Sequence, residues 1–167
     1  MLTTMLRKLG GKTPPILLQT MLNFWPPYLG AGIKIEAMSS DYRYLRVCLK
    51  RAFYNSNYVG VQYGGSIYSF TDPFYMFLYM NNLGPDYVVW DKGAHIDFLK
   101  PGKTKLTAEF RLTDEDIRVA KEMTAGGDKY VFDKHVSVVD AKGQVVAKVV
   151  KTLYIRKKKL ARDSEEQ

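Results

Sequence analysis

At 167 residues the chain can hold one ordinary domain with a genuine core and is too short for two. Its composition, 46% hydrophobic with 12 Tyr, 8 Phe and 2 Trp, excludes a disordered chain and puts aromatic rings into the core or an interface. The formal charge of +8 suits a nucleic acid, an anionic membrane or a phosphate-bearing ligand such as coenzyme A, while the single Cys48 excludes an intrachain disulfide or a multi-cysteine metal site and fits a reducing, cytoplasmic setting.

Near the N-terminus, Arg7 and Lys8 precede the apolar run Ile16–Leu22, but Gly10, Gly11, Pro14 and Pro15 interrupt it and no small-residue cleavage pattern follows, so no signal peptide is read. Thr13 followed by Pro14-Pro15 reads as a cap with prolines in the first turn, opening a helix over about 14–25 that Pro26-Pro27 ends. Strands follow near Gly32–Met38 and over Tyr42–Arg51, where Leu45, Val47 and Leu49 alternate with Arg43, Arg46 and Lys50. Tyr87–Leu99 is a further strand, and Pro101-Gly102 a turn. From Thr104 to Leu112, Leu106, Ala108, Phe110 and Leu112 alternate with polar residues. Thr113 caps a helix that opens with Asp114, Glu115 and Asp116 and closes at Gly126-Gly127. Tyr130–Val139, a turn at Asp140–Gly143 and Val145–Ile155 form a hairpin. A basic tail begins at about residue 156 and turns acidic at Asp163, Glu165 and Glu166; such a run is commonly solvated. No repeat or linker divides the chain, so residues 1–167 read as one α+β domain: an antiparallel sheet of five or six strands with helices gathered on one side.

The middle segment differs from the rest. Between Arg51 and Asp86 the only charged residue is Asp72. The residues after it, Phe74 to Met80, are apolar on every face of a helix, which calls for burial nearly all round. Gly, Asp and Pro break the stretch too often for a membrane span. A sheet wrapped around a central helix meets the requirement, with that helix running from about Gly64-Gly65 to Asn82 and bent at Pro73. A carboxylate in such surroundings is neutralised, hydrogen-bonded or functional. Local rules alone also allow Asp72 to be the N-cap of a helix starting at Pro73.

The spacing Asn57, Gly60, Gly64-Gly65 and Asp72 resembles the active-site segment of hot-dog acyl-CoA thioesterases of the phenylacetate-pathway type, in which an Asn, a Gly, a His-Gly-Gly and an acid seven positions later recur. Phe98-Leu99-Lys100-Pro101 and the last hairpin are similar to that family as well, so the resemblance covers about residues 30–156; the two outer helices look like those of an uncharacterised hot-dog subgroup. It implies a hot-dog fold in which the N–H of Gly65 stabilises an oxyanion, Asp72 is general base or nucleophile, and Asn57 positions water or substrate. Gly64 and Tyr63 would line the substrate, Tyr63 standing where the family has His. A phenol donates a hydrogen bond but is no base at neutral pH.

What the resemblance implies is an acyl-CoA or acyl-carrier-protein hydrolase without a cofactor, coenzyme A entering only as part of the substrate, and a homodimer or homotetramer with its site between protomers. The alternative is a hot-dog protein that binds an acyl thioester or lipid-like ligand without hydrolysing it. His95 and His135 read as packing or surface residues, and Asp86 and Asp91 as turn and strand-surface residues. Ser66 and Ser69 have no attached base, no spacing suggests a metal site, and no basic-aromatic motif points to nucleic acid.

Overall fold

The computed structural model describes residues 14–158. Among them, six strands form one antiparallel sheet in the order β1-β2-β4-β5-β6-β3: β1 Ile33–Met38, β2 Tyr44–Leu49, β3 Tyr87–Phe98, β4 Leu106–Arg111, β5 Lys129–Val139 and β6 Val145–Lys157. Alternation sets the faces. Leu45, Val47 and Leu49 of β2 meet Phe110, Ala108 and Leu106 of β4 in register, all 0–1% exposed. The β5–β6 hairpin turns on Gly143 at positive φ, with the Asp140 carboxylate accepting from the N–H of Lys142 and Gln144.

The expected N-terminal helix is α1, Pro15–Asn23; Thr13, its expected cap, lies outside the described residues, as do the early basic residues and the tail beyond 158. Pro26-Pro27 does end this helix, and it also starts another: α2, Pro26–Ala31, uses both prolines in its first turn, where a missing N–H costs nothing. Asn23 and Gln19 then reach β1. The Asn23 carboxamide accepts from Ile35 N at 2.7 Å and donates to Ile35 O at 3.0 Å, and Gln19 donates to the same carbonyl at 3.1 Å. The main-chain N–H and carbonyl of Ile35 in β1 are thereby occupied by side chains. The opposite edge, the outer side of the 12-residue β3, pairs with no described strand.

The central helical segment begins at Gly64 and ends at Leu83 as expected, but it is interrupted rather than bent. α3 spans Gly64–Ser69 and α4 spans Phe74–Leu83, with residues 70–73 between them and a cis Asp72-Pro73 bond. Pro73 has no N–H to give the Ser69 carbonyl, and Asp72 N takes that carbonyl instead at 3.1 Å. α4 lies against the sheet's inner face through aromatic contacts, Phe74 and Tyr75 on Phe110 and Tyr79 on Phe132, with centroids 5.0–5.4 Å apart. No residue of α4 is exposed. The remaining helix, α5 (Asp114–Met123), has the expected Thr113 cap, reinforced by the Asp116 carboxylate reaching back to Thr113 N.

Candidate active site

Asp72 caps neither helix: the residue at the N-cap of α4 is Pro73 and no side chain bonds there. Buried neighbours fix the short link that carries it. Phe70 and Thr71 are 0% exposed, and the hydroxyl of Tyr28 on α2 donates to the main-chain carbonyl of Asp72 at 3.0 Å. Burial, together with the nearby charges of Asp72 and Asp91, pushes the Tyr28 phenol well above its usual range, so this donor keeps its proton. The Asp72 side chain itself remains 43% exposed.

Beneath Asp72 lies a lysine. The ammonium of Lys151 on β6 donates to Asp72 Oδ1, and the Lys151 side chain is 1% exposed. Asp91 on β3 joins them, with Oδ2 at 3.7 Å from Lys151 Nζ. The expectation that Asp91 is a strand-surface residue is wrong. Its side chain is 15% exposed and turned inward, and both oxygens are shielded from water with no hydrogen bond among the described residues. Burial raises its carboxyl, against the pull of Lys151 and with a further push from Asp72, to about 6. The ring of Tyr68 on α3 stands over the ammonium at 5.6 Å.

Sequence reasoning missed Lys151, although the signal is there. Ala147, Val149, Leu153 and Ile155 are the inward set of β6, and Lys151 sits in their phase. Asp91 likewise shares the phase of buried Val89. Tyr28 has no comparable signal, being 44 residues from its partner.

The other expected site residues gather at the far end of α3. The Tyr63 ring folds over the first turn, so that a Cβ on Gly65 would fall 2.4 Å from Cε1 of that ring; on Gly64 it would meet Phe98 at 3.2 Å. In that turn the N–H groups have no carbonyl within the helix. Tyr63 is 58% exposed. Asn57 is placed in the loop before them, where its Oδ1 accepts from the N–H of Val59 and Val61 around Gly60, which has positive φ. Six residues of helix span roughly 9 Å, so Gly65 and Asp72 stand at opposite ends of α3. His95 is exposed beside Asp97, His135 is exposed on β5, and Asp86 lies in a turn. Among the described residues no three His, Cys, Asp or Glu are grouped to hold a metal ion, and no helix is long and apolar enough to cross a membrane.

The fold recurs in solved structures. A Pseudomonas aeruginosa protein described as a "Probable Thioesterase" superposes with a TM-score of 0.79 at 20% identity, covering 87% of this chain and 97% of its own. A Haemophilus influenzae thioesterase gives 0.63 at 15% identity, covering 94% and 99%. The PaaI protein from the phenylacetic acid degradation operon of Escherichia coli gives 0.58 at 18%, covering 82% and 88%. The hot-dog fold expected from the Asn-Gly-Gly-Asp spacing is therefore the fold of this chain. Comparison with curated proteins finds no match. One family model, the "Domain of unknown function (DUF4442)", matches residues 14–155. That span takes in all six strands, the glycine pair and Asp72, up to Ile155 of β6, and the chain belongs to this hot-dog family.

Proposed function

We propose that the protein hydrolyses acyl thioesters, carried by coenzyme A or acyl-carrier protein, with Asp72 as the working carboxylate. The observation that carries this reading is Asp72 itself: the one charged residue between Arg51 and Asp86 is held from below by a buried ammonium while its side chain stays open to solvent. In the water route Asp72 takes a proton from water as the oxygen adds to the thioester carbonyl. The N–H of Gly65 receives the resulting oxyanion. Collapse then breaks the C–S bond, and the thiolate leaves with the proton returned by Asp72. In the alternative route Asp72 is the nucleophile and water cleaves the acyl-enzyme anhydride. Neither route calls for a cofactor.

Because Gly65 and Asp72 lie at opposite ends of α3, a carbonyl touching both is best served by Gly65 of one protomer and Asp72 of another. The unpaired outer side of β3, near which Trp90 is 63% and Phe98 54% exposed, supports the same assembly. The test is a thioesterase screen over acyl-CoA chain lengths with wild type and Asp72→Asn. Turnover present in the first and lost in the second is expected; equal turnover would remove Asp72 from the chemistry. Sedimentation is expected to give a dimer or tetramer, and a stable monomer at micromolar concentration would count against the shared site.

The second reading, binding without hydrolysis, draws on one departure: Tyr63 stands where the family has His. Acyl-CoA affinity without turnover, equal in wild type and Asp72→Asn, would favour it.

A further inference from the structure

The inner face of β6 carries a charge that hydrolysis at Asp72 does not by itself require. Lys151 occupies an apolar row, 1% exposed, and two carboxylates face its one ammonium. Asp72 alone would balance that charge. Asp91 is surplus to neutrality, and its oxygens are buried without a hydrogen bond among the described residues. An excess buried acid opposes folding. Its placement makes more sense through what it does to Asp72 than through packing.

The groups facing this cluster come from four other parts of the chain. β6 supplies Lys151, the link between α3 and α4 supplies Asp72, α2 supplies the Tyr28 hydroxyl, and α3 supplies the Tyr68 ring. Tyr28 spends its proton on the Asp72 main-chain carbonyl, which leaves Lys151 as the donor to the carboxylate itself. Resting on the reading of Asp72 as the working carboxylate, we propose that Lys151 and Asp91 are its positioning residues: the buried ammonium grips Oδ1 and turns the other oxygen toward the exposed side, while Asp91 competes for the same ammonium and sets how firmly Asp72 is held.

The competition depends on pH. Burial has raised the Asp91 carboxyl to about 6. Below that value Asp91 is neutral and Lys151 serves Asp72 alone; above it the ammonium is shared. A carboxylate less committed to its cation takes a proton from water more readily, so kcat/KM rises as pH passes through about 6.

The experiment uses the full chain and the best acyl-CoA from the screen. Lys151→Met is expected to lower kcat about thirtyfold or more with KM changed less than about threefold, since orientation and not binding is lost. Ethylammonium is expected to restore turnover several-fold, in rough terms, to Lys151→Ala and not at all to Asp72→Asn, a response that a merely structural lysine would not give. Asp91→Asn is expected to fold readily and to lose the rise through about pH 6. Unchanged kcat in Lys151→Met, or a rise that persists in Asp91→Asn, overturns the inference. An active Asp72→Asn sinks the reading of Asp72, whereas a dead Asp72→Asn beside a fully active Lys151→Met sinks only the positioning role. A measurement free of turnover completes the test. In 15N-lysine-labelled protein the Lys151 ammonium resonance, assigned by its absence in Lys151→Met, is expected to shift with a midpoint near pH 6 in wild type and not in Asp91→Asn. A resonance indifferent to pH in that range overturns the inference whether or not a substrate is in hand.

Discussion

Lys134 and Lys151 are cross-strand partners on β5 and β6, directly opposite one another, and both meet aspartate. There the likeness stops. Lys134 has one acid, Asp116, which it holds with both oxygens at 2.9 and 3.0 Å, and that acid also receives Thr113 N at the start of α5. Burial would raise the Asp116 carboxyl, but the Thr113 N–H and Lys134 outweigh it and hold the acid below its ordinary range. Charges balance, donors are matched, and the arrangement pins a helix to a strand. Among the described residues Lys151 has two acids, one of them pushed up to about 6 and left without a hydrogen bond. A balanced ion pair accounts for itself as structure. One with an unbalanced buried acid at an exposed carboxylate asks for another explanation, and the chemistry proposed for that carboxylate offers one.

The contrast can be broken most directly at the two acids. Asp72→Asn is expected to lower thioester turnover at least about a hundredfold, because it removes the proposed base or nucleophile. Asp116→Asn is expected to leave kcat unchanged; steady-state kinetics on both variants decide. Lys134→Met, on the balanced side, is expected to cost about 2 kcal/mol in urea unfolding, between the values for exposed and fully buried pairs, with kcat of the folded protein intact. A large loss of kcat there would mean that the two lysines act together.

Smaller effects sharpen the comparison. At the far end of α3, Tyr63→Phe is expected to slow turnover about tenfold, the worth of one neutral hydrogen bond. Tyr63→His is expected to keep or raise activity, and a silent Tyr63→Phe would reduce the ring to packing over Gly65. The smallest effect is thermodynamic and has opposite signs at the two acids. The folded value of Asp91 lies above the ordinary one, so its burial is tolerated at low pH and becomes a burden as pH rises through about 6. Asp91→Asn is therefore expected to stabilise the protein at about pH 8 and hardly at all near about pH 4, by denaturant titration. The folded value of Asp116 lies below the ordinary one, so its contribution is present at neutral pH and fades as pH falls through that lowered value.

Most of the fold was legible because its signals are local. The alternation of Leu45 to Leu49 and of Leu106 to Phe110, the acids after Thr113 and the turn at Asp140–Gly143 each name an element without reference to distant residues. What escaped was context. Pro26-Pro27 reads equally as a stop and as a start, and in the fold it is both, with α2 lying beside β1. Pro73 signals a disturbed helix, but whether it bends or breaks depends on who takes the Ser69 carbonyl, and Asp72 N does. For the candidate site, spacing pointed to Asp72, Tyr63 and the glycine pair, which the fold sets at the two ends of α3. It also implied a role for Asn57, whose Oδ1 the fold engages in a turn. Lys151 was readable from the phase of β6, while the link from Tyr28 to Asp72 exists only once the chain has folded.

The two ends of the sheet differ in what they permit when many copies meet. At β1, Asn23 and Gln19 occupy the main-chain groups of Ile35 that an incoming strand would need. At β3 a 12-residue strand has an outer side that pairs with no described strand. A sheet open at both ends can recruit copy after copy into a fibre. With one end stoppered, the proposed pairing through β3 about a two-fold axis would use up the outer edges of both partners and stop growth at two. Freeing the stoppered end, with Asn23→Ala and Gln19→Ala together, would turn a closing contact into a propagating one, a change that light scattering on concentrated protein would register as aggregation from the native state.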